Sequence, residues 1–283
     1  MIPGWAREVL RRPAGVFGAV VIALLVAAAI VSVFWTPRDP FAADPFQRWL
    51  GPSAAHPFGT DGVGRDILSY VLAATRTTVL VAALSSVVAA LVGLVLAAIA
   101  ALGPRWVREP LAVLIDVLIA FPVLLIAIML SAVLGSSLGT VIAAVGIGFG
   151  VNIARVSRGE IRRVARAGYV LAARASGLGP VRTLLDHVLP NIAPVFIVQL
   201  SLSAGVAVLS EAGLSFLGYG APPSRPSWGR LLSDLQDYVT VHPLTVVWPG
   251  LAITLSVLAF NLFGDALREA TDPRLRSRRR IAR

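Results

Sequence analysis

The chain has 283 residues, of which 57% are hydrophobic and only 14% charged, with a formal net charge of +10. A mean hydropathy of +0.80 lies outside the range of water-soluble globular domains, so the composition indicates an integral membrane protein. Cysteine is absent, which removes disulfide frameworks and thiol-based metal or redox sites. Lysine is absent too, and with it the phosphate-binding lysine of a P-loop, so the chain is no standard ATPase by itself.

A helix needs about 20 apolar residues to cross the hydrocarbon layer, and six runs meet or approach that length. Residues 1–15 carry Arg7, Arg11 and Arg12 and lead into the first run, Val16 to Trp35. It is too long for a signal peptide and has no convincing small-residue cleavage site, so it reads as a retained span over residues 16–35. Residues 36–77 form a turn-rich outer segment containing Pro37, Pro40, Pro45 and Pro52, then His56-Pro-Phe-Gly-Thr-Asp61 and Gly64-Arg-Asp66. The core, residues 78–264, holds the runs Thr78 to Leu102, Leu111 to Val133, Leu138 to Ile153, Ala193 to Leu209 and Leu244 to Phe263. Gly and Ser at the ends of the fourth and fifth runs suit close helix packing or a passage. A second outer segment, residues 218–243, contains Ala221-Pro-Pro-Ser-Arg-Pro-Ser-Trp-Gly229, and residues 265–283 form a basic tail. Pro and Gly at this density predict non-helical backbone in both outer segments. The expected fold is an all-α polytopic membrane protein with six transmembrane helices.

All 25 basic residues are arginine, and their positions are uneven. Arg7, Arg11 and Arg12 precede the first span, and Arg105 and Arg108 lie between the second and third. The run from Arg155 to Arg182 lies between the fourth and fifth, and that from Arg268 to Arg283 follows the last. Arg38, Arg48, Arg65, Arg76, Arg225 and Arg230 remain for the other side. The positive-inside rule then puts both termini and the 155–192 loop on the cytoplasmic side of the membrane. The tail Arg274 to Arg283 is an orientation and lipid-headgroup signal on this reading, not a nucleic-acid arm.

Within the 155–192 loop, Tyr169 to Ser176 reads as one short helix. Gly177 and Gly179 break it, Pro180 opens a second helix at the position where its missing N–H costs nothing, and Pro190 ends that helix. The pattern resembles the cytoplasmic EAA loop of ABC importer permeases. The family's Ala-Ala, Gly and Leu-Pro landmarks fall on Ala172, Ala173, Gly177, Leu189 and Pro190, while its leading Glu is replaced by Leu171. The resemblance implies that Ala172, Ala173, Arg174, Gly177, Leu178, His187, Leu189 and Pro190 couple the chain to ATPase subunits.

The resemblance extends along most of the chain. His56-Pro-Phe-Gly-Thr-Asp61 with Gly64-Arg-Asp66, Ser210-Glu-Ala-Gly-Leu-Ser-Phe-Leu-Gly-Tyr-Gly220, Pro226-Ser-Trp-Gly229, Pro249-Gly-Leu-Ala-Ile253, Asn261-Leu-Phe-Gly-Asp-Ala-Leu-Arg268 and Asp272-Pro-Arg-Leu-Arg276 look like the second permease of dipeptide, oligopeptide and nickel importers. That family implies a type I ABC importer permease architecture, one half of a heterodimeric pore. The implied partners are a second permease subunit, two ATP-binding subunits and an extracytoplasmic substrate-binding protein. ATP and Mg sit on the partner subunits, and no cofactor is bound directly. The implied cargo is a dipeptide or oligopeptide; nickel chelates, haem or glycosides carried by the same architecture stay open. A secondary transporter or channel would need broken mid-membrane helices with several paired ionisable groups, and only Asp116 and Glu211 approach that description.

Several residues carry two readings. His56, Asp61 and Asp66 could be grouped as metal ligands, but the segment is Gly-rich and the other histidines, His187 and His242, are remote, so no metal site is expected. Asp61 and Asp66 then cap turns and Arg65 fixes the loop by hydrogen bonds, or the loop helps receive the binding protein. Glu211, a carboxylate at the outer end of an apolar span, is either a solvated interfacial group or part of an outer gate. Asp116 lies near the cytoplasmic end of the third span in a packing or pathway-lining role. Trp228 and Trp248 read as interfacial anchors, and Asp265, Arg268, Asp272 and Arg274 as a cytoplasmic ion-pair network.

Overall fold

The computed structural model describes residues 8–271; Arg7, Asp272, Arg274 and the rest of the basic tail lie outside the described residues. Among the described residues there is no β-strand, only an isolated antiparallel bridge between Thr60 and Asp66. The helices are α1 (Pro13–Phe34), α2 (Ile67–Leu102), α3 (Arg105–Ile119), α4 (Val123–Leu134), α5 (Leu138–Ala165), α6 (Gly168–Ala175), α7 (Pro180–Thr183), α8 (Leu189–Phe216), α9 (Trp228–Leu235) and α10 (Pro243–Thr271). Five long helical stretches are apolar enough to cross a bilayer, and α3 with α4 makes a sixth if the bent pair is one span.

The third expected span, Leu111 to Val133, is therefore not one straight helix. Its two halves meet at 87°. Pro122 explains the break: it disfavours helical backbone at Phe121 and offers no N–H to continue the ladder. The Ala120 N–H instead turns tightly back to Val117 and Leu118 carbonyls.

The second helix starts at Ile67, well before the apolar run beginning at Thr78, so residues 67–77 are helical and not part of the outer loop. The start is set by Asp66, whose carboxylate accepts the Ser69 N–H at 2.9 Å, satisfying a donor that has no partner inside the helix. α5 likewise continues past Ile153 to Ala165. Pro190 does not end a helix. A π turn, Leu184–Val188, joins α7 to α8, and the Leu189 N–H reaches back to the Leu184 carbonyl. Shifting to this wider hydrogen-bond spacing just before Pro190 accommodates a residue that cannot donate.

In the outer segment 218–243 the expectation of non-helical backbone fails over α9. There Trp228, Leu231 and Leu235 recur at helical spacing and are buried, so an apolar stripe overrides the surrounding Pro and Gly.

The most extensive helix contact is α2 against α5, and it depends on three glycines. A Cβ added at Gly93 would lie 2.7 Å from Ile153 Cγ2, at Gly146 2.6 Å from Val88 Cβ, and at Gly150 2.7 Å from Val92 Cβ. Small residues permit this approach, and in a membrane close packing is the main attraction between helices. α1 docks on α10 by the same device, because a Cβ at Gly18 would lie 2.6 Å from the Ala259 carbonyl oxygen. Near that contact Arg12 pairs with Glu269.

Gly150→Leu should therefore separate α2 from α5 at a cost of about 1–3 kcal/mol. Gly250→Leu, where no atom lies within 4 Å of the added Cβ, should leave stability nearly unchanged. Thermal unfolding of the two purified variants in one detergent measures the difference.

Candidate functional site

The expected coupling residues form a compact helix-turn-helix. α6 closes with the Gly177 N–H on the Arg174 carbonyl at 3.0 Å and the Leu178 N–H on the Ala173 carbonyl at 3.2 Å. This pair of crossed bonds needs a left-handed residue at Gly177, whose φ is +90°; glycine adopts that conformation without a Cβ penalty. Gly179 then caps α7, accepting the Thr183 N–H and hydroxyl, both at 2.9 Å, and Pro180 takes the first helical position.

Val170 and Val188 are buried with Ile161, Val164 and Ile192, and this cluster seats the loop on the ends of α5 and α8. Tyr169 and His187 meet edge to face at 6.4 Å, joining α6 to the π turn. Outward, Tyr169, Leu171, Val181 and Leu185 are all exposed, and Ala172, Arg174, Gly177 and Pro190 are exposed with them. Leu171, which stands where the family's leading Glu is expected, thus belongs to an exposed apolar face. The sequence reading missed Tyr169, Val181 and Leu185; the signal was an apolar residue left outside the buried positions of each short helix.

The remaining candidates sit together at the far end of α2. His56 Nδ1 lies 2.9 Å from Asp66 Oδ1 and Nε2 lies 2.7 Å from Gln47 Oε1. Asp66 also accepts the Ser69 hydroxyl at 2.7 Å. Asp61 accepts the Val63 and Arg65 N–H groups, each at 2.9 Å, and the Arg65 Nε–H at 2.6 Å. Arg65 also reaches Asp234 at 3.1 Å and covers the Tyr70 ring. Burial works to lower the Arg65 pKa, but the charge and hydrogen bond of Asp61, with Asp234, outweigh it and hold the guanidinium above its usual value. One arginine so ties the first outer segment to α9. Stacking adds to the closure, with Trp49 on His242 at 4.3 Å and Phe58 on Trp248 at 4.0 Å.

Glu211 is 0% exposed, which sets aside the solvated interfacial reading. Its carboxylate accepts the Ser215 hydroxyl at 2.7 Å and the Ser227 hydroxyl at 2.8 Å, with the Thr78 hydroxyl at 3.4 Å. Ser215 in turn accepts the Ala221 N–H at 2.9 Å. A single side chain therefore joins α8, α2 and the second outer segment. Trp228 is not an interfacial anchor: it is 1% exposed and donates its indole N–H to the Val71 carbonyl at 2.9 Å, because it opens α9 on the face turned to α2. Trp248 is packed against the same cluster. Asp116, half exposed, lies 3.7 Å from Arg155 and 3.9 Å from Arg158, linking α3 to α5.

Residues 89–277 match the family described as binding-protein-dependent transport system inner membrane component. The chain belongs to this family. The nickel transport system permease protein NikC of Escherichia coli (strain K12) is 39% identical over 261 residues, covering 90% of this chain and 92% of that protein. The dipeptide transport system permease protein DppC of Alkalihalophilus pseudofirmus is 35% identical over 96% of this chain and 89% of its own length. The glutathione transport system permease protein GsiD of Pectobacterium atrosepticum is 36% identical over 96% of this chain and 90% of its own length. The family match spans both the 169–190 loop and Glu211, and the relatives also cover most of the chain before residue 89. In this transport-system membrane component the loop and the cluster around Trp228 pack against opposite ends of α2.

Replacing Glu211 by Ala leaves three hydroxyls without their acceptor, a loss of about 1–3 kcal/mol. The expected outcome is a lower thermal midpoint and faster proteolysis within residues 218–227, with Glu211→Gln intermediate. An unchanged cleavage pattern in Glu211→Ala would remove the side chain from the closure.

Proposed function

We propose that this chain is one of two permease subunits of an ATP-driven importer and forms half of its pore for dipeptides or oligopeptides. The 169–190 loop receives an ATP-binding subunit, and the outer end receives the substrate-binding protein. The observation that carries the reading is the loop itself. Two short helices fixed by the Gly177 turn present Tyr169, Leu171, Val181 and Leu185 outward, and the second helix continues through the π turn into α8. An apolar face on a rigid extension of a span suits a partner whose movement must reach the membrane. ATP and its Mg ion then belong to the partner, because this chain has no lysine for a P-loop.

Glu211 and the His56, Asp61, Arg65, Asp66 and Trp228 constellation act as the outer gate, opening when the binding protein displaces the first outer segment. Nickel or a nickel chelate is the second reading for the cargo, favoured by the 39% identity to the nickel permease NikC. The pore accepts what the binding protein delivers, so the two readings share one mechanism.

The test is uptake of a labelled dipeptide into vesicles holding the full complex, with labelled nickel measured alongside. Gly177→Val places a β-branched residue at φ +90°, a strain of about 1–3 kcal/mol. Since no atom lies within 4 Å of an added Cβ there, the strain is confined to the turn. Expected is loss of copurifying ATPase or of ATP-driven uptake with normal membrane insertion, while Gly177→Asn retains more of both. Normal uptake and assembly in Gly177→Val would detach the loop from the mechanism.

Orientation follows from the arginine asymmetry. Single cysteines at the exposed residues 163 and 181 should react with a membrane-impermeant reagent only from the cytoplasmic side, and cysteines at residues 50 and 239 only from the outside. The reverse pattern would invert the arrangement and end the coupling reading.

A further inference from the structure

Arginines around the base of the loop divide into two sets. Arg105 faces Glu109, Arg155 and Arg158 face Asp116, Arg163 faces Glu160, and Arg182 faces Asp186. Arg108, Arg162, Arg166 and Arg174 pair with no carboxylate of the described residues, and all four line one cavity of about 550 Å³ together with Ala101 and Leu171. No acidic side chain lines it. Arg162 is held in place by its Nη2 bond to the Ala100 carbonyl at 2.9 Å, and the positive charges of Arg158, Arg108 and Arg166 all act on it. Folding therefore gathers like charges from α3, α5 and α6 around one space, an arrangement that repels itself unless an anion enters.

The depth of the cavity identifies the anion. It lies where the apolar helix α2 stops at Leu102, against the arginine-bearing end of α5, which closes at Ala165. Beside it α3 turns 87° from α4 and presents Trp106, 80% exposed, next to Arg105. An exposed Trp beside Arg at the end of a span marks the headgroup layer. Guanidinium forks match phosphate oxygens in pairs, and basic pockets between membrane helices take phosphorylated headgroups.

We propose that this cavity binds the phosphate of an acidic phospholipid. Because Leu171 and Arg174 belong to the loop while Ala101 and Arg162 belong to the spans, the bound lipid ties the base of the loop to the ends of α2 and α5. The site is independent of the cargo but shares Leu171, Arg174 and Leu178 with the coupling loop, so the lipid would bear on the base of the element proposed to receive the ATP-binding subunit.

The experiment compares the complex in vesicles of phosphatidylcholine alone and of phosphatidylcholine mixed with phosphatidylglycerol, followed by mass spectrometry of lipid retained after gentle detergent extraction. Arg166 and Arg174 are exposed, so Arg166→Gln with Arg174→Gln tests the cavity without disturbing the Arg162 bond. Arg163→Gln with Arg182→Gln removes the same charge from the paired set. Expected is saturable phosphatidylglycerol retention by the parent and the control, and binding weakened about tenfold or more in the cavity variant. Equal loss in the control would reduce the effect to general surface charge and overturn the site. Inorganic phosphate that displaces phosphatidylglycerol and stabilises the protein equally well would reassign the cavity to a soluble phosphate. Parental lipid retention in the cavity variant, with ATPase subunits no longer copurifying, would make it a protein contact instead.

Discussion

The close approach of α2 and α5 is the contact on which the rest of the molecule depends. Between helices in lipid there is little hydrophobic drive, so attraction comes from how near the backbones can come. Gly93, Gly146 and Gly150 remove the atoms that would hold them apart. α2 has 36 residues and so extends about 54 Å, well beyond a hydrocarbon layer of about 30 Å. One end carries Ile67, Tyr70 and Val71 into the cluster with Trp228. The other carries Ala97, Ala100 and Ala101 into the cluster with Val170 and Val188. The outer closure and the loop are thus built on the two ends of one rod.

At the outer end, polar groups do work that apolar packing cannot. Glu211, His56, Asp61 and Asp66 are all nearly inaccessible; each carboxylate meets a hydroxyl, an N–H or a ring nitrogen at hydrogen-bond distance, and the His56 ring lies between the Asp66 and Gln47 oxygens. A buried carboxylate without donors is costly, while one surrounded by them fixes its neighbours in a single arrangement. Apolar contacts tolerate sliding; this network has a defined geometry that is either made or broken.

The helix-glycine-helix form of the loop was legible because each signal in it is local. Gly177 is required by the crossed bonds that end α6, and Pro180 by the free first position of α7. The existence of six apolar runs was legible for the same reason, since composition alone defines them. Direction was not. The run from Leu111 to Val133 is apolar apart from Asp116 and Ser131, and hydropathy does not register that Pro122 turns it through nearly a right angle. Pro190 misled because a helix terminator in a regular ladder is tolerated where a π turn has already changed the spacing. The burial of Trp228 escaped for another reason: its partner Val71 lies 157 residues away in the chain, as the Thr78 contact that ties Glu211 to α2 lies 133 residues away, and no local pattern contains either. The Trp228, Leu231 and Leu235 spacing was present in the sequence, but it was outweighed by the prolines before it.

The π turn between α7 and α8 has a consequence for everything after it. A π turn inserts one residue into a helical ladder, and one residue corresponds to about 100° of rotation about the axis. Leu184–Val188 therefore sets the azimuth of α8 along its whole length to Phe216. Glu211 faces Ser227 and Thr78 because of a bulge more than twenty positions earlier, near the other end of the same helix. If the bulge were annealed out, the same helix in the same place would present a different stripe of side chains to α2 and α10. The loop and the outer closure are in this sense connected by torsion, through a helix that can be wound by one residue without changing its length by more than about 1.5 Å.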